Sequence, residues 1–343
     1  MIGADRGTFY LTPGDWQIGA SYRWFRADEQ YRGTRLSQPV TRLGTNVISK
    51  LQLLDFGGTR QIDPQWSLSF NVPITLYASS SRALPAGVAG SPRFVQSTKG
   101  LGDISLVARR WMLPVERGKT GHFSLGVGMK LPTGDNKARD LFPNGAGVAQ
   151  QLRVVDPSIQ PGDGGFGLIL DLQTFKRVGS MTWFASGGYI IQPDDQSSTL
   201  SPPAFLAPAG PGAVAARQRF LSISDQYFGR VGVTHAVPGV KGLGLVLAGR
   251  IEGVPINDVM GKTIGFRRPG YTISVEPGLV YTRGNTTVSF TVPIATQRNV
   301  QRSLGFDRDS TFPDQIFILS LTHRFRAKGE AKPTASPAPA PAM

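Results

Sequence analysis

The side chains of this chain best suited to select a ligand are single charged residues on the polar faces of alternating segments. Arg250 and Glu252 stand two positions apart in one such segment, and Lys130 lies near the end of another. Rings of charged side chains of this kind line pores and set which ions and solutes pass. The candidate lumen-lining residues are Arg23, Lys50, Arg109, Lys130, Asp171, Arg230, Arg250, Glu252, Glu276 and Arg324.

Basic residues outnumber acidic ones on these faces, even when Asp103 is added. An excess of this sign predicts a positive interior potential that concentrates anions. The alternative is that the charges pair with one another and simply fill a narrow interior.

Covalent and metal chemistry have weaker support. His122 and Ser124 lie two apart on one polar face, but the sequence offers no third group to orient the histidine of a hydrolase. Gly261-Lys-Thr263 resembles the end of a phosphate loop, yet Ile256 stands where the first glycine belongs. The chain has no cysteine, which excludes a thiolate metal site. We therefore predict no catalytic residue, no metal and no cofactor, and expect that the protein is not an enzyme.

These residues belong to a regular succession of segments in which apolar and polar side chains alternate. About twelve such segments, each near ten residues long, are separated by gaps that are alternately long and short. A period of two with one apolar face indicates strands, and this rhythm is typical of an up-and-down transmembrane barrel with short periplasmic turns and long extracellular loops. The short gaps are 62–65, 114–120, 176–179, 237–240 and 283–285, and the long gaps are 27–45, 78–100, 132–163, 192–224, 253–269 and 297–313.

Aromatic residues at both ends of the apolar faces indicate that these faces contact lipid, whereas in a soluble barrel they would form the core. Two aromatic girdles mark the two interfaces of a membrane. We therefore predict an all-β chain, a transmembrane antiparallel up-and-down β-barrel of about twelve strands, in the bacterial outer membrane. The girdle residues are Trp16, Trp66, Trp183, Tyr281 and Phe325 at the periplasmic end, and Trp24, Tyr189, Tyr227, Tyr271 and Phe317 at the outer end.

The formal net charge of +14 would suggest a nucleic-acid partner if the protein were soluble. The basic residues are spread over loops, strand ends and polar faces, however, and they form no aromatic–basic stripe. The expected partners are therefore outer-membrane lipid, lipopolysaccharide and a small-molecule solute, and not nucleic acid, while the oligomeric state stays open.

Three parts are expected along the chain. Residues 1–14 form a periplasmic N-terminal segment, residues 15–326 form the barrel, and residues 327–343 form a tail rich in Ala and Pro. The tail cannot bury apolar surface and is predicted to be disordered. Within the barrel, Pro73 and Pro293 each remove a ladder donor and should mark irregularities, and a bulge is expected near residues 53–57.

Several short motifs occur in a fixed order along the chain, at 100–109, 126–135, 160–165 and 276–281, and a Val-Pro-Ile run ends at Ile294. In this order they resemble the outer-membrane β-barrel family named for the meta-pathway of phenol degradation, over roughly residues 10–326. Members of that family are regarded as transporters. The resemblance implies a bacterial outer-membrane location and the passage of small molecules, including aromatic compounds.

We expect an outer-membrane channel or transporter for the passive passage of small molecules. The long loops, chiefly 132–163 and 192–224, should gate or narrow the mouth, and Leu141, Phe142, Phe205 and Leu206 could receive a hydrophobic solute. Two alternatives stay open: a structural or adhesive barrel with a plugged lumen, and an outer-membrane hydrolase.

Overall fold

Twelve antiparallel strands form one closed barrel in the computed structural model, which describes residues 11–113, 120–143, 150–201, 218–303 and 309–327. Each strand pairs with its neighbours in the chain, and the last strand returns to pair with the first, from Trp16 opposite Phe325 to Tyr31 opposite Ser310. The predicted fold is confirmed. Barrel strands 1 to 12 are Trp16–Arg32, Ile48–Gln61, Trp66–Ala83, Arg93–Leu101 continued by Ser105–Trp111, Gly121–Lys130, Gly167–Val178, Met181–Ile191, Gln226–Ala236, Leu243–Val254, Gly270–Arg283, Thr286–Thr291 continued by Ile294–Val300, and Ser310–Phe325.

Apolar side chains point outward from the barrel and polar ones point inward. On strand 5, Leu125 and Val127 are 49% and 63% exposed, whereas Ser124 between Phe123 and Leu125 is 0% exposed. Water would disfavour such a wide apolar outer surface, but lipid accepts it. The alternation that identified the strands therefore also places the lipid on the outside and the polar residues in the interior.

The two aromatic girdles lie where the sequence predicted them. At the periplasmic end, Trp16, Trp66 and Trp183 are all exposed on the outer surface. At the outer end, Trp24 on strand 1 stacks on Phe317 on strand 12, with ring centroids 5.1 Å apart. Since aromatic rings settle at the headgroup level, the two girdles define the membrane-spanning part of the barrel.

Several strands extend past this zone into the predicted extracellular loops. Strands 1 and 3 continue to Arg32 and Ala83, although the sequence predicted that loops would begin at Ala27 and Ala78. Ladder pairing persists outside the membrane because nothing in these polar segments breaks it. The loops also contain Arg35–Leu36, the helix Gln38–Arg42, the ribbons Arg139–Pro143 with Gln150–Val154 and Gln196–Leu200 with Phe220–Ser222, and the 3-10 helix Pro157–Ile159. Among the residues that the structure describes, no helix is long and apolar enough to span a membrane.

The predicted short turns are close to those observed. The turn predicted at 176–179 is shorter, because strand 6 continues to Val178 and strand 7 begins at Met181. Residues 114–119 of another predicted turn lie outside the described residues, as do 1–10 and 328–343 of the predicted terminal segments. The division of the chain at 14 and 327 therefore stays a prediction.

Both prolines coincide with breaks in the ladder. Strand 11 is interrupted at Pro293, between Thr291 and Ile294. Pro73 on strand 3 lies beside the break in strand 4, where the N–H of Gly102 donates to the Pro73 carbonyl at 2.7 Å. Proline lacks the N–H that would complete a pair of ladder bonds, so the neighbouring strand loses its regular pairing there. The bulge expected on strand 2 is absent, since its pairing with strand 1 is continuous. The register shift between Gln52 and Leu53 instead places the extra residue, Leu76, on strand 3.

A charge placed on the outer surface should destabilise the barrel. Val127→Arg puts a guanidinium in the lipid near the middle of strand 5 and should lower the free energy of unfolding by about 2–4 kcal/mol. Urea unfolding from phospholipid vesicles, followed by tryptophan fluorescence, measures the loss. The control Val240→Arg lies in a periplasmic turn and should change the free energy little. Equal effects of the two substitutions would contradict the lipid-facing assignment of Val127.

Candidate functional site in the barrel interior

The interior holds a set of paired charges. Six of the basic residues predicted from the sequence face carboxylates, and most of these side chains are less than one-tenth exposed. The paired side chains therefore lie along the interior wall, between strands that are adjacent or two apart. The pairs are Arg23 with Asp55, Arg109 with Asp171, Lys130 with Asp103 and Asp163, Arg230 with Glu276, Arg250 with Glu252 and Glu276, and Arg324 with Asp15.

The pair of Arg109 and Asp171 joins strands 4 and 6 across strand 5. The Nε of Arg109 donates to Oδ1 of Asp171 at 2.7 Å. Gly126 lies directly opposite both residues on the intervening strand. A Cβ at this glycine would come within 3.1 Å of the Asp171 Cβ and 3.0 Å of a Val107 methyl. The absent side chain of Gly126 therefore leaves the space through which the pair forms.

A second network joins strands 8, 9 and 10. Arg230 donates to both carboxylate oxygens of Glu276, from Nε at 3.1 Å and from Nη2 at 3.0 Å. Arg250 lies between them, with Nη1 3.7 Å from Glu276 and Nη2 2.6 Å from Glu252. The Arg230 guanidinium also stacks on Phe184, 4.7 Å from the ring centroid. Charged pairs with this geometry satisfy each other in an interior that excludes most water.

Residues of three sequence motifs meet at the outer end of strands 4 to 6. The ammonium of Lys130 lies 3.2 Å from Oδ2 of Asp103 and also pairs with Asp163. Asp103 accepts backbone hydrogen bonds from Gly134 at 2.9 Å and from Asp163 at 3.3 Å. The motifs at 100–109, 126–135 and 160–165 thus fix the ends of loop 132–163 to the barrel wall.

Part of loop 132–163 packs into the outer mouth of the barrel. Ile159, at the end of the 3-10 helix, is 1% exposed and packs with the interior-facing Ala78. The carboxylate of Asp156 pairs with Arg82 of strand 3 and lies 3.6 Å from Arg268 of loop 253–269. Burial lowers the pKa of the Arg268 guanidinium. These contacts narrow the mouth on the side of strand 3.

The loop residues predicted to receive a solute have different environments. Leu141 is exposed, whereas Phe142 is buried and packs edge-on against Phe94, with centroids 6.3 Å apart. Phe205 and Leu206 lie outside the described residues. Leu141 alone of the two described residues is accessible to a solute.

An apolar cluster occupies the periplasmic half of the interior. It consists of Trp111, Phe175, Phe184, Val246 and Ala248, which come from strands 4, 6, 7 and 9. Trp111 and Phe175 meet edge to face with centroids 6.2 Å apart. These residues come from one contiguous part of the wall, and a second apolar cluster of Val107, Ile169 and Ile190 lies on the same strands nearer the outer end.

His122 packs against this cluster and is not placed as a general base. Its Nε2 lies 2.7 Å from the carbonyl oxygen of Leu113 and its Nδ1 lies 3.0 Å from that of Phe123. Both ring nitrogens thus face backbone carbonyl oxygens. The hydroxyl of Ser124 points to the carbonyl of Gln173 at 3.5 Å. The geometry does not support Ser–His hydrolysis at this pair.

A cavity of about 590 Å³ opens at the periplasmic end, below the apolar cluster. Interior-facing Thr182, Thr234 and Val280 line it, together with the turn at Val237 and Gly242. Apolar surface predominates in this lining, and the hydroxyls of Thr182 and Thr234 add polar groups to it.

Nine of the ten predicted lumen-lining residues lie on the interior face, but Lys50 does not. Lys50 is exposed and stands directly opposite Arg26, on the outward face that also carries Phe56. The inward positions of strand 2 are instead Ser49 and Asp55, both buried. Strand 2 has polar residues on both faces near its outer end, so its alternation did not show which face was the interior.

Among the described residues, the interior charges are closer to balance than the sequence predicted. Asp15, Asp55 and Asp163 balance basic residues there, and the sequence prediction included none of them. Asp55 lies two residues before Gly57, on the same face of strand 2. The sequence could have placed it in the interior if the inward face of this strand had been known. Asp163 comes from a loop, and only the folded loop ends place it beside Lys130.

Comparison with solved structures agrees with this fold. The structure matches the crystal structure of an outer membrane channel from Pseudomonas putida F1 with a TM-score of 0.60 and 14% identity, over 94% of this chain and 100% of that chain. This chain has the fold of a bacterial outer-membrane β-barrel. Together with the apolar outer surface, the fold confirms the predicted location in the outer membrane.

More distant matches are the translocator domain of the autotransporter NalP from Neisseria meningitidis and a deltaS2 mutant of the TodX monoaromatic hydrocarbon channel. Their TM-scores are both 0.43, with 12% and 10% identity, over 93% and 92% of this chain and 91% of each of those chains. Scores this low do not establish a shared fold. No family model matches the chain, and no curated protein matches it.

The pair of Arg109 and Asp171 can be used to measure how dry the interior is. Asp171→Ala leaves a buried guanidinium without its carboxylate and should lower the free energy of unfolding by about 3–5 kcal/mol. The double substitution Arg109→Met with Asp171→Leu removes both charges and should recover most of this loss. Urea unfolding of the three proteins gives the values. A loss below about 1 kcal/mol for Asp171→Ala would indicate a hydrated pair, as is found at protein surfaces.

Proposed function

We propose that this chain is an outer-membrane channel or transporter for the passive passage of small molecules, among them aromatic or hydrophobic compounds. The observation that carries the proposal is the set of charged side chains on the interior wall, from Lys130 at the outer end to Arg230 and Glu276 deeper in the barrel, together with the open cavity at the periplasmic end. The fold it shares with a protein described as an outer membrane channel supports the same function. So does the resemblance of its motifs to the transporter family of the phenol meta-pathway.

The paired charges favour a path for solutes over a purely structural filling. Burying an ion pair costs desolvation energy, and apolar side chains of similar volume often stabilise a protein at least as well. A barrel that needed only a solid interior would therefore gain little from Arg109 with Asp171 or from Arg230 with Glu276. The long charged side chains on the interior wall can instead change their ion-pair partners, and this change opens a polar path for a solute.

The apolar cluster supports the proposal that the solutes include aromatic or hydrophobic compounds. In this proposal, a solute descending from the mouth passes a constriction at Trp111, Phe175 and Phe184, whose rings lie in the interior and are less than one-tenth exposed. Aromatic rings attract one another in edge-to-face and offset-stacked arrangements, so this constriction favours a flat, apolar molecule over a hydrated ion. Small aromatic compounds fit both this constriction and the polar wall above it.

The balanced charges of the interior predict weak ion selectivity in the native protein. Lys130→Glu combined with Arg250→Glu replaces two cations by anions and should move the reversal potential toward cation selectivity under a salt gradient. The shift should diminish at high salt, which screens the charges. The protein reconstituted in a planar bilayer provides the measurement.

Lys50→Glu is the matched control, because Lys50 faces outward and its replacement should leave selectivity unchanged. Absence of conductance in every variant would favour the alternative of a structural or adhesive barrel with a plugged lumen, which the burial of the interior side chains would then explain. Lipase or protease activity of the purified protein would favour the hydrolase alternative.

Removing aromatic surface from the constriction should speed passage. Phe175→Ala deletes a buried ring from the cluster and should raise the rate at which vesicles containing the protein swell in a small aromatic solute. Leu170→Ala, on the outward face of the same strand, is the control and should leave the rate unchanged. A Phe175→Ala rate equal to that of the native protein would mean that the solute path avoids the cluster.

A further inference from the structure

Two arginines at the periplasmic girdle are held on tryptophans and face the lipid. Arg60 on strand 2 lies directly opposite Trp16 on strand 1, with its guanidinium carbon 5.5 Å from the ring centroid. Arg110 on strand 4 lies directly opposite Trp66 on strand 3, at 5.7 Å. The same combination of tryptophan and cation thus occurs twice on four consecutive strands.

Both arginines are on the outer surface. Arg60 shares its strand face with Phe56, and Arg110 shares its face with Ala108, and all four residues are exposed. Trp16 and Trp66 belong to the aromatic girdle that marks the periplasmic headgroup level. The two guanidinium groups therefore lie at the level of the phosphates of the inner leaflet.

Within the described part of the chain, neither guanidinium forms an ion pair with a carboxylate. The arginines of the interior all have such partners, among them Arg23 and Arg109. The acidic residue of the adjoining turn, Asp63, is engaged elsewhere, since its Oδ1 accepts the N–H groups of Gln65 and Trp66 at 2.7 Å each. Among the described residues no carboxylate supplies a counter-charge for Arg60 and Arg110, whereas the membrane phosphates at this level can do so.

Stacking on an indole fixes a guanidinium while leaving its N–H edge free. The cation–π contact contributes about 0.5–1 kcal/mol at an exposed site, and the free edge matches two phosphate oxygens. Strands two apart in a sheet lie about 10 Å from each other, so Arg60 and Arg110 can bind two phosphates that belong to one headgroup. Trp66 and Leu68 lie between them and offer an apolar surface to acyl chains.

We propose that Arg60 and Arg110, with Trp16 and Trp66, form a binding site for an anionic phospholipid of the periplasmic leaflet whose headgroup carries two phosphates. The basic residues bind the phosphates and the tryptophans contact the glycerol and upper acyl region. The site fixes the depth and rotation of the barrel relative to the inner leaflet. It lies on the outer wall and does not depend on passage through the lumen.

Native mass spectrometry of the full chain in detergent tests the site, with cardiolipin, phosphatidylglycerol and phosphatidylcholine as separate probes. The native protein should retain one cardiolipin at concentrations where phosphatidylcholine is lost, with phosphatidylglycerol intermediate. Arg60→Gln combined with Arg110→Gln should weaken cardiolipin retention about tenfold or more, which corresponds to about 1.4 kcal/mol. Arg60→Lys with Arg110→Lys keeps the charge and should restore part of the binding.

The matched control is Arg26→Gln with Lys50→Gln, which removes two outward-facing cations from strands 1 and 2 at the outer end. This control should retain cardiolipin as the native protein does, and a shift in gel mobility on boiling verifies that each variant is folded. Equal retention by the Arg60 and Arg110 glutamine variant and the control would overturn the site. So would equal retention of cardiolipin and phosphatidylcholine by the native protein, or binding of lipopolysaccharide alone.

Discussion

The constraint on which the rest of this structure depends is that a strand in lipid must have every backbone N–H and C=O bonded to another strand. No water is present in the hydrocarbon to replace a missing partner. The sheet therefore closes, with Ser310–Phe325 paired along Trp16–Arg32, and no edge is left in the membrane. Closure fixes which residues face inward, and the exceptions at Pro73 and Pro293 occur where the proline itself lacks the donor.

The interior of an eight-stranded barrel is just wide enough for side chains to fill it. Closing twelve strands therefore creates an interior that ordinary side chains do not fill. The chain fills the additional width with its longest charged residues, paired so that each cation meets a carboxylate, as Arg230 meets Glu276. Toward the periplasm, aromatic rings take over this role at Trp111 and Phe175. The residues that stabilise the interior are thus among those that a solute in the lumen would contact.

The sequence was sufficient where the alternation within a single strand was clear. The alternation along Gly121–Lys130 predicted both the strand and the side that faces lipid, and the ends of the apolar faces predicted the girdles. Lys50 was assigned to the wrong face because strand 2 is polar on both faces there. The alternation of polar and apolar residues therefore did not indicate which face points inward. The partners of Arg109 and Arg230 could not be predicted, because they depend on register across three strands. Those of Lys130 and Arg82 depend on loop folding, which places Asp163 and Asp156 beside them.

The ion pairs that skip a strand have a consequence for how the barrel is assembled. Arg109 and Asp171 are on strands 4 and 6, and Arg230 and Glu276 are on strands 8 and 10, so each pair forms only when three successive strands are aligned. A slip of one residue would turn these side chains toward the lipid, where each cation costs about 2–4 kcal/mol at the midplane. The charges therefore favour the native strand alignment during insertion. A misaligned sheet with the same backbone hydrogen bonds would be destabilised by the charges it places in the lipid.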